Sequence, residues 1–543
     1  MNEKGYSLVV TMLVITIFFL LGLTILSVAI YQARFTEMRV EDVESLHEAT
    51  QAIEEAVAEI KVAISNPSFE LSTPRNLDTQ LAALFPDLER RYGVKIQDVT
   101  AKDIDRNKLF TRVFLLSKPY GSKTVERRVI LTNTPSFLKY ALGSKEDVVL
   151  DGGAYIDGNI YAGKNAYVTN VANYINNSKK YMERTSFPTT SKNSVLFVNG
   201  SYYSCDHKKN ACYNIKDNVF QRIEENYSND VRFQSQTPSV QKEREEFIDV
   251  DFDWTVKDKL LNAAGIETFS QEYNAYINKS TDQLFHELRD QDNFAVLKSV
   301  SELREKIDSI DRSVILQSED SSLFFLDRGE LNLQNKWLII NGDLFLGNSV
   351  NTPTKVRGNI IVFGNLTISG DIELDSTIYV FGPLDSPNAP GHTLIYNANI
   401  AGWNDKEVVL LSKGALEIAR INEFENEFKD EPNLKGYFYT DSNATVYAVG
   451  SYIHIQGGLF ARGDTSSKAP DADVSGLVIN AYRGAATKPQ QGGPISFTPP
   501  PSLDQKEEAR FVIHHDPSVF INRGEGLPFV KKLNLVVDKL IVK

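Results

Sequence analysis

Gly158-Asn-Ile-Tyr-Ala-Gly-Lys164 has the glycine spacing and the lysine of a phosphate-cradling loop, but Asn165 stands where a Mg²⁺-binding hydroxyl is needed. Ala166-Tyr-Val-Thr-Asn-Val171 reads as strand, whereas a phosphate loop must open a helix, so a corner between strands is the better account. Asp249-Val-Asp-Phe-Asp253 places the carboxylates of Asp249, Asp251 and Asp253 on one face of an extended segment, a weak Ca²⁺ candidate. Trp254 and Leu260 exclude the EF-hand pattern there, and a solvated strand face is the plainer reading. His514-His515 followed by Asp516 is a second metal candidate, but adjacent strand residues point to opposite faces and do not ligate jointly. Neither a G-x-S-x-G elbow nor an H-E-x-x-H pair occurs, so the commonest hydrolase signatures are absent. The expectation is a protein without enzymatic activity, cofactor or metal.

Cys205 and Cys212 are the only cysteines and sit in the polar loop Ser204-Cys-Asp-His-Lys-Lys-Asn-Ala-Cys-Tyr213. Their spacing suits a small disulfide-closed loop if this region is exported to an oxidising compartment. Two free thiols are the alternative, as is a metal site to which His207 would add one ligand. The 543 residues suggest about three or four folding units, and 24% charged with 42% hydrophobic residues marks a globular chain. A net charge of −13 without a Lys/Arg-rich run gives no electrostatic footprint for nucleic acid.

The elements that must position these residues begin with an uncharged stretch from Tyr6 to Tyr31, whose helical length matches a bilayer core of roughly 30 Å. Gln32 to Ser65 continues as a polar helix-forming run with apolar residues at Val40, Val43, Leu46, Ala49, Ile53, Ala56, Val57, Ile60 and Ile64. No proline or glycine interrupts Leu23 to Asn66, which predicts one rod ending near Asn66-Pro67. A cleaved signal peptide is the competitor, with Ser27-Val28-Ala29 as a partial cleavage site. Such a peptide has no need of the long continuation.

Lys4-Gly5-Tyr6-Ser7-Leu8 ahead of an apolar helix resembles the processing region of type IV pilins and pseudopilins. The resemblance implies cleavage between Gly5 and Tyr6 by a prepilin peptidase, N-methylation at Tyr6, and packing with other pilin subunits through this helix. It also implies single-pass residence in the cytoplasmic membrane before assembly and a surface filament afterwards. Val10 departs from the family, which usually carries a glutamate at this position that pairs with a neighbour's amino terminus. Members without that carboxylate resemble tip or initiating subunits, so the implied role is a large minor pilin that starts assembly or contacts a surface ligand or polysaccharide.

The expected architecture is α+β, mainly β: a leader (1–5), an N-terminal helix (6–66, with 8–30 transmembrane) and a small α/β region (67–135). In that region Lys108 to Ser117 and Thr124 to Thr132 read as a hairpin around residues 118–123. Gly-Asn/Asp-Ile/Leu then recurs at Gly158, Gly342, Gly358, Gly364 and Gly370, each followed by alternating apolar residues. Sharp corners between short strands predict a β-solenoid, with parts at 136–213 and 313–483. An antiparallel sandwich is the alternative. A polar helical insertion (214–312) reads either as a recognition surface or as a cap on an open sheet edge. A Pro/Gly-rich linker (484–505) and C-terminal strands (506–543) complete the chain. The competing function is a membrane-anchored β-helix protein that binds or cleaves polysaccharide.

Overall fold

The computed structural model describes residues 4–66, 69, 74–100, 106, 109–235, 237–243, 247, 249–268, 270–320, 322–348, 352–386, 388–490, 493–501, 507–519, 526–528, 530 and 532–543. Two compact units result, one of residues 1–132 with 533–543, the other of residues 133–532.

In the first unit the unbroken sequence forms a single 62-residue helix, α1 (Lys4–Ser65). Its second half buries Ala49, Ala52, Ile53, Ala56, Val57, Ile60 and Ile64, the three-and-four spacing of one helical face. That face packs on α2 (Pro74–Tyr92) and on an antiparallel sheet of β1 (Lys95–Asp98), β2 (Arg112–Tyr120) and β3 (Lys123–Thr132). The hairpin turn is tighter than residues 118–123, because β2 runs through Pro119 to Tyr120, which pairs with Lys123. Pro119 is tolerated there since β1 pairs no further than Ser117, so its missing N–H costs no ladder bond. Asn534–Val537 and Ile541–Val542 return to pair with β3 and close the unit.

The second unit is a parallel β-helix with three strand-bearing faces. The strands pair in parallel from coil to coil, so the sandwich alternative is excluded. On the first face an apolar row points inward, Leu338 on Ile360, Ile360 on Ile378, Ile378 on Leu410, Leu410 on Phe438 and Phe438 on Leu459.

The next coil is out of chain order. Leu459 pairs with Leu142, and the row then climbs through Ile160 to Leu196. The same join recurs on the other faces, Leu477 with Val148 and Ile513 with Ile156. The two expected solenoid parts are therefore one stack, and Phe511–His515, expected among separate C-terminal strands, belongs to it. Within the expected linker, Ala485–Thr487 and Ser496–Thr498 form a short antiparallel hairpin.

Gly-Asn/Asp corners set the turns. Gly342 has φ +147 and would place a Cβ 2.3 Å from Ser322 O, which excludes any side chain. The polar residue after the glycine bridges coils: Asp343 Oδ1 accepts from Asn365 N at 2.7 Å, and Asn365 Oδ1 accepts from His392 N at 3.0 Å.

Residues 214–312 are not one helical block. Ser239–Gln241 and Ala295–Leu297 are strands of the stack. Between them run α3 (Phe252–Ala263), α4 (Gln271–Tyr276) and α5 (Thr281–Asp290), followed after Leu297 by α6 (Val300–Lys306). The arm lies along the outward side of the first face: Phe247 stacks on Tyr161 and Phe460, Phe252 reaches Tyr379, and Phe285 packs edge-on against Phe363. Leu303 and Ile307 of the α6 region join the main core near the Val314 coil, and Phe233 joins it as well. The insertion thus combines the cap role with a strap down one flank.

Candidate functional site

The first half of α1 buries nothing. Every described residue from Leu8 to Glu44 is exposed, including Phe18 at 70% and Tyr31 at 73%. Residues 8–30 span about 35 Å at the helical rise, enough for a hydrocarbon core of roughly 30 Å. By length and composition this helix can cross a membrane.

Its hydroxyls suit that solvent. Thr16 Oγ1 donates to Met12 O, Thr24 Oγ1 to Leu21 O and Ser27 Oγ to Leu23 O, each at 2.8 Å, so they need no water. Gly5 and Tyr6 lie in the first turns of α1, and Val10 is 43% exposed on the same uncovered segment. After Lys4 the next charged residue is Arg34, and the apolar stripe that docks on the sheet begins at Ala49. One helix therefore has a bare apolar half and a docked half.

The remaining sequence candidates sit in the β-helix unit. Cys205 and Cys212 form a disulfide, closing a loop beside Tyr213, Phe220 and Val171. Beneath that loop lies Asp151, a group that no motif marks, which is 1% exposed. It accepts from Thr169 Oγ1 at 2.7 Å, Tyr213 Oη at 2.8 Å and Asn173 Nδ2 at 3.1 Å. Burial pushes its carboxyl up to about 7 against those hydrogen bonds. Arg222, stacked 3.8 Å from the Tyr167 ring centroid, is the nearby cation. The alternation of Leu150 and Asp151 marks an outward position, but only the folded loop reveals that the position is covered.

Asp249, Asp251 and Asp253 do not converge on one point. Asp251 is the N-cap of α3 and accepts from Trp254 N at 3.0 Å. Asp249 pairs with Lys145, and Asp253 pairs with Lys413 at 2.8 Å. The run is not one extended strand, because Asp251 starts a helix and Asp253 sits in its first turn, where the dipole favours an acid. Among the described residues no group of three or more His, Cys, Asp or Glu side chains is arranged to hold a metal ion.

His514 Nδ1 lies 3.1 Å from Asp157 Oδ2, while His515 Nε2 lies 2.9 Å from Leu138 O, so the two rings serve different neighbours. Gly158 to Lys164 is a short strand, Ile160–Ala162, with a corner before it and a corner after it that leads into the strand Ala166–Thr169, and Lys164 pairs with Glu146.

No protein-family model matches the chain, and no curated protein matches it in sequence. Among solved structures, the competence-associated pilin ComZ from Thermus thermophilus aligns over 92% of this chain and 97% of its own, at 11% identity. The TM-score of that alignment is 0.28, a likeness from which nothing about this chain follows by itself.

Proposed function

We propose that this chain is a prepilin-like subunit of a type IV pilus or a related filament, acting at its tip to initiate assembly or to contact a surface. The observation that carries this reading is α1: an uncharged, uncovered stretch from Leu8 to Tyr31 continuous with a second half docked on the protein's own small sheet. A surface anchor needs only the first of these features. A filament subunit uses both, because the docked half fixes the angle at which the bare half meets its neighbours.

On this reading a prepilin peptidase cuts between Gly5 and Tyr6, Tyr6 is N-methylated, and the bare half resides in the membrane until other pilin subunits replace lipid around it. Val10 supports the tip position, since a subunit without a carboxylate there cannot neutralise a neighbour's buried ammonium. The bulk of the β-helix unit supports it too, because a shaft repeats one subunit closely and a tip does not. The role is structural and adhesive, not enzymatic.

Gly5→Leu tests the processing step. The expected result is a chain that keeps its leader, remains in the membrane fraction and yields no filaments; filaments made from uncut subunits would refute the reading. Immunogold labelling of the β-helix unit tests the tip position, with label expected at one filament end. Label along the shaft would contradict it.

A further inference from the structure

The join in the β-helix stack brings together two loops that are far apart in sequence. One is the hairpin of Val171–Asn176 and Lys179–Arg184, from the coils that begin at Leu142. The other is the loop between Ala461 and Gly476, from the coils that end at His515. Lys180 on the hairpin has a side chain only 4% exposed, and its Nζ lies 2.5 Å from Asp471 Oδ1 on the loop. The Phe220 ring covers this ammonium, its centroid 5.4 Å from Nζ.

Asp471 is held from several sides. Its backbone carbonyl accepts from Phe220 N at 3.1 Å, and Tyr447 Oη donates to its Oδ2 at 3.4 Å. It has φ +59, a left-handed conformation that aspartate tolerates in turns. A third group belongs to the cluster. Glu417 sits on the strand beside Tyr447's, paired through Thr445, and its carboxyl is held above the ordinary range by burial, with the charge of Asp471 adding to the effect.

A shielded lysine amine against an aspartate carboxyl, with a glutamate on the strand beside Tyr447's whose hold on its proton burial strengthens, is the set of groups that amide formation requires. We propose that Lys180 and Asp471 condense into an intramolecular isopeptide bond, with Glu417 as the proton carrier. The step begins with one proton transfer along the contact, from Nζ to the Asp471 carboxylate, the lysine side chain being 4% exposed and the aspartate side chain 33%. The Nζ lone pair then attacks Asp471 Cγ and a C–N bond forms. Glu417 protonates the departing hydroxyl, the C–O bond breaks and water leaves. The surplus proton on Nζ returns to Glu417, so the acid is regenerated and no oxidant or reductant takes part.

The bond would staple the two halves of the stack on the face where Leu477 pairs with Val148. Parallel pairing and non-covalent bonds such as Asn173 N to Asn480 Oδ1 and Arg222 N to Asp473 Oδ2 hold them there otherwise. A protein that bears load at a surface gains from a covalent closure at the one place where, among the described strands, adjacent coils are not consecutive in the chain.

The test is mass spectrometry of the full native chain, denatured and thiol-reduced, compared with the mass calculated from the amino terminus found in the same sample. The expected result is a deficit of about 18 Da, one water per bond formed, together with a branched proteolytic peptide that joins the Lys180 and Asp471 segments. Lys180→Arg keeps the cation but removes the nucleophile and should restore the full mass. Glu417→Gln should lower the cross-linked fraction at least tenfold without altering the fold seen by circular dichroism. Full mass with separate peptides in the native chain overturns the bond, and a fully cross-linked Glu417→Gln overturns the role of the glutamate.

Discussion

The bare half of α1 and the outward row of the first β-helix face are both apolar, yet the chain treats them in opposite ways. Along the β-helix, Tyr379, Leu411, Tyr439, Phe460 and Tyr161 point away from the core and are still buried, with Phe137 packed on Tyr439, Phe247 on Tyr161 and Phe460, and Phe252 against Tyr379. From Leu8 to Tyr31 the chain supplies no cover at all. An apolar surface that a protein covers with its own residues contributes to its own stability. One it leaves bare over 24 consecutive positions requires a different solvent or a partner.

That contrast can be broken most sharply in the covered region. Phe460→Ala removes a ring that is 1% exposed and contacts Tyr439, Phe247 and Tyr161. It should destabilise the β-helix by about 3–5 kcal/mol in urea unfolding. The matching truncation Phe19→Ala, at a residue 66% exposed, should leave unfolding in detergent within about 0.5 kcal/mol of wild type. Equal costs at the two sites would erase the distinction.

Self-covered surface also carries a pH signature. The Asp151 carboxyl, at about 7, lies above the ordinary unfolded value of about 3.9. Between those values the folded state holds a proton that the unfolded state has lost, so its contribution to stability falls as pH rises from about 4 to 7 and is flat above. Asp151→Asn should therefore gain on wild type across that window in urea unfolding at stepped pH. A pH-independent difference would show that the burial of Asp151 is not felt.

In the bare half, Leu20→Arg should cost about 2.5–3.5 kcal/mol in membrane insertion and shift the chain out of the membrane fraction. The urea midpoint of the β-helix should stay the same. The smallest effect belongs to the strap's surface pins: Asp253→Asn breaks the 2.8 Å pair with Lys413, half of which is solvent-exposed, and should cost less than about 1 kcal/mol. A larger loss would mean that charge, rather than the aromatic row, holds the strap.

Much of the architecture was legible because local rules produce it. An uninterrupted run to Asn66 can only be one rod, and the alternation in β2 and β3 around Gly121 can only be a hairpin. The corners at Gly158, Gly342, Gly358 and Gly370 need a positive φ, and their repeated use already implied stacked strands. The order of the stack was not legible. Every coil offers the next the same kind of aliphatic row, so nothing local says that Leu459 should meet Leu142 instead of a residue further along the chain. Long excursions such as 420–433 and 205–238 enter at corners and hide the period. The Asp151 and Lys180–Asp471 clusters were hidden for the same reason, since each forms only when one excursion folds over a face built by another.

The most direct test of the account is the amino terminus of the chain recovered from its native membrane or filaments, read by mass spectrometry of the first peptide. The account predicts Tyr6 carrying one methyl group. An intact Met1, or a terminus created beyond Ala29 as a signal peptidase would leave it, would contradict the account at its base, because the bare half of α1 would then be an ordinary anchor or would be missing from the mature protein.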